Sequence, residues 1–370
     1  MPTEDATVDP APEIIDLFAG PGGLDVGATW LEIPVTGIEW DPHACATRRQ
    51  AGLETVEGDV RNFGPAHFAE ATVLCGGPPC QTFTVAGSGS GRRALNAVIQ
   101  KVGEMAEQLE DGTPTSAFSD ERTGLVLEPL RWAFQALHDG RPYQAIVLEQ
   151  VPAVLPVWEA YKKVLERVGY RAAVGVLRTE EFGVPQTRRR AILIARHGVD
   201  DVSLPSPTHQ AFRRGAPNQA ALGLQPWVSM AQALARDSRF TVVSNYGSGG
   251  DPRNRGVRHS DEPAATVTGK VTRNRLRFAN GLEDRLSHQE AGRLQTFPHD
   301  FPWSGNDIGQ QIGNAIPPRL AVHVLAQALD IDVNSDELDR IVRSSWAEGR
   351  PVPVGIRLEH PDHRSVTLLD

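Results

Sequence analysis

Short apolar runs alternate with amphipathic stretches through the first half of the chain. The runs fall at Glu13–Phe18, Val35–Trp40, Thr55–Gly58, Ala71–Cys75, Tyr143–Leu148, Tyr170–Leu177 and Ala191–Ala195. Each is short and bounded by polar, Gly or Pro residues, the pattern of a buried strand. Helical periodicity lies between them, at 24–31, 42–51, 125–138 and 153–168. Strand and helix in alternation, joined by short links, predict an α/β fold with a doubly wound, mostly parallel sheet. After Arg196 the pattern breaks. Residues 203–280 are rich in Pro, Gly, Ser, Arg and Asn and show little periodicity, which predicts a second, smaller and irregular lobe. Helical character returns at Ser287–Leu294, Arg319–Leu329 and Asp336–Trp346. The predicted organisation is a main domain over 13–200, a lobe over 203–308, a segment over 309–332 that returns to the main domain, and a polar C-terminal extension over 333–370. No internal repeat or low-complexity tract interrupts it.

Composition narrows this picture only slightly. With 370 residues there is material for a full α/β core and a second lobe. No run approaches the roughly 20 apolar residues that cross a bilayer, and Met1–Pro12 lacks the basic and apolar regions of a signal peptide. The three cysteines, Cys45, Cys75 and Cys80, make neither a disulfide framework nor zinc-type spacing, so no metal is expected and a reducing cytoplasm is. Cys75 ends an apolar run and reads as a packing residue. The net charge of -9 argues weakly against a nucleic-acid partner. Charge is segregated, however. Between Arg239 and Arg277 eight basic residues face three acidic ones, a one-sided footprint for a polyanion or else a solvated arginine-rich loop.

Two groups of residues carry candidate chemistry. The first is the turn Asp16-Leu-Phe-Ala-Gly-Pro-Gly-Gly23 after the first strand. Its glycines let backbone N–H groups approach a ligand, or simply fit a helix tightly onto a sheet. Glu39, ending the second strand, is placed to hold ribose hydroxyls; Trp40 offers a flat face to an adenine, and Asp59 an acceptor for its amino group. The alternatives for the acids are helix caps or solvated loop residues. The turn matches neither G-x-G-x-x-G nor G-x-x-x-x-G-K-[ST], which favours a nucleoside cofactor without a pyrophosphate.

The second group is chemical. Gly76-Gly-Pro-Pro-Cys80-Gln-Thr-Phe83 follows the fourth strand, and a Pro-Pro-Cys turn projects a thiol from rigid backbone. Glu149 follows the fifth apolar run in Leu-Glu-Gln-Val-Pro, at the same sheet edge, as a proton donor or a capping carboxylate. In Gln186-Thr-Arg188-Arg-Arg190, strand alternation puts 186, 188 and 190 on one face and Arg189 on the other. Such a face suits an anion, a base edge or a loop carboxylate; the alternative is an exposed edge strand.

Together these motifs resemble the DNA cytosine-C5 methyltransferases, from Ile14 to about Leu329 and in the family's order. DLFAGPGG is similar to the family's cofactor turn, EWD at 39–41 to its ribose and adenine contacts, and GGPPCQTF to its nucleophile loop. LEQV resembles its acid motif and QTRRR its Gln-x-Arg-x-Arg. RLQTFP at 293–298 and QIGNAIPP at 311–318 resemble its closing segment. Three departures stand out. Gln150 occupies the place of an Asn that braces the nucleophile loop, Phe83-Thr84 replaces Phe-Ser, and the segment after Cys80 is longer, with additional material over about 88–119.

The resemblance implies a class I, Rossmann-like methyltransferase fold and S-adenosyl-L-methionine as methyl donor. Its cofactor residues would be Phe18, Ala19, Gly20, Gly22, Gly23, Leu24, Glu39, Trp40, Asp59, Pro79 and Asn314. Cys80 would add to C6 of a flipped-out cytosine, Glu149 would protonate N3, Arg190 would bind the base carbonyl, and Arg188 would hold the catalytic loop or the base. Gln81 and Gln186 would meet the substrate, with Arg253, Arg255, Arg258, Arg273 and Arg275 as candidate contacts to double-stranded DNA. Within 88–119 the apolar spacing Ala97-Val98, Val102, Met105-Ala106 and Leu109 itself predicts a helix, expected to pack on the closed catalytic loop or on DNA. A monomer is implied, with a cognate restriction endonuclease as a separate partner. A tRNA cytosine-C5 methyltransferase and a catalytically silent DNA-binding relative remain alternatives.

Overall fold

The computed structural model describes residues 11–79, 89–110, 124–221, 223–236, 238–247 and 255–347. The strands are β1 (Ile14–Leu17), β2 (Val35–Glu39), β3 (Thr55–Glu57), β4 (Val73–Gly76), β5 (Ala145–Gln150), β6 (Tyr170–Arg178), β7 (Gln186–Thr187), β8 (Arg189–His197), β9 (Phe240–Gly247), β10 (Arg255–His259), β11 (Ala264–Ala265), β12 (Arg275–Phe278) and β13 (Glu283–Asp284). The helices are α1 (Gly23–Trp30), α2 (Pro42–Gln50), α3 (Gly89–Glu110), α4 (Glu128–His138), α5 (Leu155–Arg167), α6 (Met230–Leu234), α7 (His288–Leu294), α8 (Ile308–Asn314), α9 (Pro318–Leu329) and α10 (Ser335–Arg343).

Seven strands form the main sheet in the order β3-β2-β1-β4-β5-β8-β6. The first five are mutually parallel; β8 runs antiparallel to both β5 and β6. Strand alternation divides the core in two. Ile14, Val73, Cys75, Val147, Ile192 and Ile194 face a layer that includes α1 and α9. Ile15, Leu17, Leu74, Ile146, Leu148 and Leu193 face a layer of α3, α4 and α5. A sheet covered on both faces explains why its strands read as unbroken apolar runs. Cys75 is buried in this core, as expected of a packing residue.

Three expectations need correction. The second lobe is not irregular throughout: β10-β9-β12-β13 form a four-stranded antiparallel sheet with its own core, including Phe240, Val242, Leu276, Leu286 and Leu294. The residues after 333 are not simply a polar extension. Leu338, Ile341 and Trp346 enter the core beside α1 and α9, and the Trp346 indole N–H donates to the Ala51 carbonyl at 3.1 Å. Finally, α3 does form in the 88–119 segment, but Val98, Val102, Met105 and Ala106 are buried in the core against α4 and α5. Its apolar face is therefore already used and unavailable to the catalytic loop or to DNA.

Candidate active site

The site residues gather at the carboxyl edge of the main sheet, where an open α/β sheet leaves room between strand ends and loops. At the end of β1 the chain turns sharply: Phe18, Gly20 and Gly22 have φ of 63, 56 and 99°. A Cβ on Gly20 would meet nothing within 4 Å, whereas one on Gly23 would strike the Ile316 carbonyl at 2.2 Å. Gly20 thus borders open space, while Gly23 lets the QIGNAIPP segment close onto the start of α1. Ala19 and Leu24 are buried beside it.

Glu39, nearly buried at the end of β2, shapes this turn. Its Oε2 accepts from the Gly20 N–H at 2.7 Å, and Oε1 accepts from Trp40 and Asp41 N–H at 2.9 and 2.8 Å. Burial raises its pKa, and these three donors pull the other way. Trp40 is 68% exposed. Asp59 caps a short helical turn by accepting from Arg61 N–H at 2.9 Å, and the Arg61 side chain lowers its pKa. Asn314, at the exposed end of α8, accepts from Gln310 at 2.8 Å. Sequence reasoning left Asp16 without a role. It is buried at the end of β1, and its pKa is raised well above the usual range, first by burial and then by Asp25, with Glu39 and Glu149 adding to it. Its place in the DLFAGPGG motif was the available signal.

On the chemical side, Cys80 and Gln81 lie outside the described residues. The loop leading to Cys80 is described as far as Pro79, which is exposed. Gly77 lies against Glu149, since a Cβ there would sit 3.8 Å from both its carbonyl and its carboxylate. Glu149 Oε1 stands 2.6 Å from Arg190 Nε, in an ion pair mostly shielded from solvent. The angle falls short of a hydrogen bond's, and Oε1 has no hydrogen-bonding partner among the described residues. Gln150, in the place of the bracing Asn, does reach the loop: its amide donates to the Pro78 carbonyl, and its oxygen accepts from Val151 N–H.

QTRRR divides differently from the expectation of one ligand-facing surface. Gln186 is fully buried. Its oxygen accepts from Val267 N–H at 3.0 Å, and its amide donates to the Leu294 carbonyl at 3.0 Å and to Gln295. Arg188 is also fully buried and donates to the carbonyls of Val267, Gly313 and Ala315 at 3.1, 3.0 and 3.1 Å. Burial, with Arg190 nearby, pushes its pKa down to about 9. In this arrangement Gln186 and Arg188 rivet segments together rather than meet a substrate; of the three residues, Arg190 alone reaches Glu149. The sequence pattern marked all three but could not tell a ligand from a carbonyl.

The candidate DNA-contacting arginines also separate. Arg253 lies outside the described residues, and Arg255 begins β10. Arg273 and Arg275 are exposed, and Arg275 lies 3.4 Å from Glu283. Arg277, in the basic segment but not among the candidates, contacts the same carboxylate at 2.8 Å. Arg258 is half-buried and donates to Thr187 Oγ1 at 3.3 Å. Among the described residues no helix is long and apolar enough to cross a membrane.

The family model for C-5 cytosine-specific DNA methylases matches residues 13–103, 114–225 and 226–329. Most of α3 lies inside the match, and of the 88–119 segment only 104–113 falls outside it. The chain is 28% identical to the Type II methyltransferase M1.HphI of Haemophilus parahaemolyticus, over 86% of this chain and 87% of that protein. It is 27% identical to the Type II methyltransferase M.PspPI of a Psychrobacter species, over 87% and 80%. Among solved structures, S. pombe Dnmt2 methyltransferase superposes with a TM-score of 0.61 at 18% identity, covering 86% of this chain and 98% of that one. The family match spans the strands and loops that carry the site, and the chain accordingly belongs to the C-5 cytosine-specific DNA methylase family and is a DNA cytosine-C5 methyltransferase.

Proposed function

We propose that the methyl donor is S-adenosyl-L-methionine and that transfer proceeds through a covalent bond between Cys80 and C6 of the target cytosine. The observation that carries this reading is the Glu149–Arg190 pair, 2.6 Å apart beside the loop that leads to Cys80. A carboxyl and a guanidinium at one point are what the N3 and carbonyl edge of a cytosine requires. The donor's fit rests on the other half of the edge. There is open space at Gly20, an exposed indole at Trp40, and desolvated acids at Asp16 and Glu39 that suit a cation. Among the described residues Glu39 Oε2 accepts one hydrogen bond, from Gly20 N–H, and keeps capacity for a ribose hydroxyl. Asp59 would accept from the adenine amino group once Arg61 yields, with Phe18, Ala19, Gly22, Gly23, Leu24, Pro79 and Asn314 completing the wall. When bound, the donor supplies an electrophilic methyl group.

The chain's own residues do the rest. The Cys80 thiolate adds to C6, and the ring electrons move toward N3, where Glu149 delivers a proton. Arg190 turns from Glu149 to the base carbonyl. C5, now nucleophilic, accepts the methyl group; the N3 proton returns to Glu149, the C5 proton passes to water, and Cys80 sulfur leaves as the thiolate, which restores the ring and the acid. The base must leave the duplex to reach this edge. Because the relatives above are named Type II methyltransferases, we place this enzyme beside a cognate restriction endonuclease that is a separate protein, and read it as a monomer.

The test is covalent capture. Duplex DNA carrying 5-fluorocytosine should become attached to the wild type in the presence of S-adenosyl-L-methionine, since fluorine cannot leave as a proton. Cys80→Ser should neither capture nor turn over, yet should still bind cofactor and DNA. Capture by the serine variant would overturn the role of Cys80, and capture of fluorinated tRNA but not DNA would move the substrate.

A further inference from the structure

Arg258 was a candidate for touching DNA, but its surroundings point inward. It lies on β10 with its guanidinium carbon 4.7 Å from the centre of the Phe212 ring, and Nη2 donates to Thr187 Oγ1 at 3.3 Å. Thr187 also donates to the Ala264 carbonyl at 3.2 Å, and its own carbonyl accepts from Thr266 Oγ1 at 3.1 Å. Here β11 runs parallel to β7, pairing Ala264 with Gln186 and Ala265 with Thr187. The small lobe is therefore zipped along one edge of QTRRR. Thr187 turns to β10 and β11 of the small lobe, whereas Arg188 turns to the carbonyls of Val267, Gly313 and Ala315 and Arg190 to Glu149. An arginine stacked on Phe212 and bonded to Thr187 is directed at the back of this segment.

We propose that Arg258 is a positioning residue for methyl transfer: by holding the Thr187 face of QTRRR it fixes how Arg190 is presented to Glu149 and the base, and it reads no DNA. The proposal rests on the reading of Arg190 as the base-binding group. The physical basis is leverage. Arg190 lies three residues from Thr187 along extended backbone, and among the described residues its one other side-chain anchor beside Glu149 is a 2.8 Å bond to its neighbour's carbonyl, Arg189 O. A shift of Thr187 would pass directly into Arg190, and reacting groups lose rate steeply when misplaced by even an ångström. The stack on Phe212 restrains the guanidinium plane, which a lysine could not reproduce.

The experiment measures turnover, KM for DNA, target motif and salt dependence of DNA binding for Arg258→Ala, Thr187→Val, the double variant, Thr187→Ser and Arg190→Ala. Arg258→Ala should lower kcat roughly tenfold or more, with KM for DNA and the methylated motif unchanged. Thr187→Val should do the same, the double variant should lose no more than either single one, and Thr187→Ser should recover most of the loss. A changed motif, or a salt slope reduced by about one, would make Arg258 a DNA contact and overturn the proposal. So would additive losses, or a fall in melting temperature with kcat intact. Arg190→Ala separates the two readings. If it turns over normally, the role of Arg190 fails. If it is inactive while Arg258→Ala is normal, only the positioning role fails.

Discussion

The main sheet and the small sheet solve opposite problems. The seven-stranded sheet is covered on both faces, and its chemistry is confined to one edge, where Asp16, Glu39, Gly77 and Glu149 end or follow successive strands. The four-stranded sheet keeps one face open. On β12, Arg275 and Arg277 are exposed while Leu276 between them is fully buried. An edge between rigid strands fixes a few atoms accurately, as bond-making requires. An open face of long side chains can be rewritten position by position without disturbing a core, as recognition requires. QTRRR lies where the two meet, and its arginines divide accordingly: Arg188 inward to three carbonyls, Arg190 outward to the acid.

This division can be broken first at the acid. Glu149→Gln keeps the shape beside Gly77 and removes the proton and the charge. Turnover should fall roughly 10²-fold or more, the usual effect of losing a placed general acid, with cofactor affinity and melting temperature little changed. Near-normal turnover with lowered stability would instead make Glu149 a structural partner of Arg190.

The second break is at the two arginines. Arg188→Met fills the space but removes the guanidinium donor from the buried carbonyls of Val267 and Gly313 and leaves that of Ala315 to Gln295 Nε2 at 3.3 Å, and each carbonyl left unsatisfied costs about 1–3 kcal/mol. Its urea midpoint should fall sharply. Arg190→Met should leave the midpoint near the wild type and abolish turnover. If both variants lost stability alike, the segment would be one structural unit and the inward–outward contrast would be void.

How much of this was legible in the sequence follows the same line. The strands of the main sheet were readable because burial on both faces leaves unbroken apolar runs, as in Ala145–Leu148 and Ala191–Ala195. The small sheet was not, because β12 carries arginines on an open face, β10 reads Arg-Gly-Val-Arg-His with a single large apolar residue, and β13 is two residues long. The apolar spacing in α3 announced a helix, but periodicity cannot say which surface covers it; α5 and α4 do. Leu338, Ile341 and Trp346 were too sparse among charges to look like core. At the site, residue type and spacing located Glu149 and Arg190. The inward turn of Gln186 and Arg188 depends on carbonyls at Val267, Gly313 and Ala315, more than 75 residues away in sequence, and no local pattern encodes that.

The smallest effect, and the sharpest test of the open face, concerns Arg275 and Arg277. Both lean on Glu283 of the neighbouring strand β13, at 3.4 and 2.8 Å. An exposed pair of this kind adds little stability, so its removal should hardly move the melting temperature. It does hold two guanidinium groups extended on the open side of the sheet before DNA arrives. A guanine edge offers two acceptors that an arginine meets bidentately, and a carboxylate waiting beside it is exchanged for the base at modest cost. Arg275→Ala should therefore relax specificity at one base pair by about 1–3 kcal/mol and leave kcat on the preferred site nearly unchanged. Methylation of a randomised DNA pool, read by bisulfite sequencing, measures this directly. Glu283→Gln should weaken the same position by less, because it loosens the arginines without removing them. If Arg275→Ala weakened all sequences equally and flattened the salt dependence, the residue would be a phosphate contact. If neither variant changed binding or motif, this face of the small sheet would not be the one that meets DNA, and the contrast between a chemical edge and a reading face would have to be redrawn around β9 and β10.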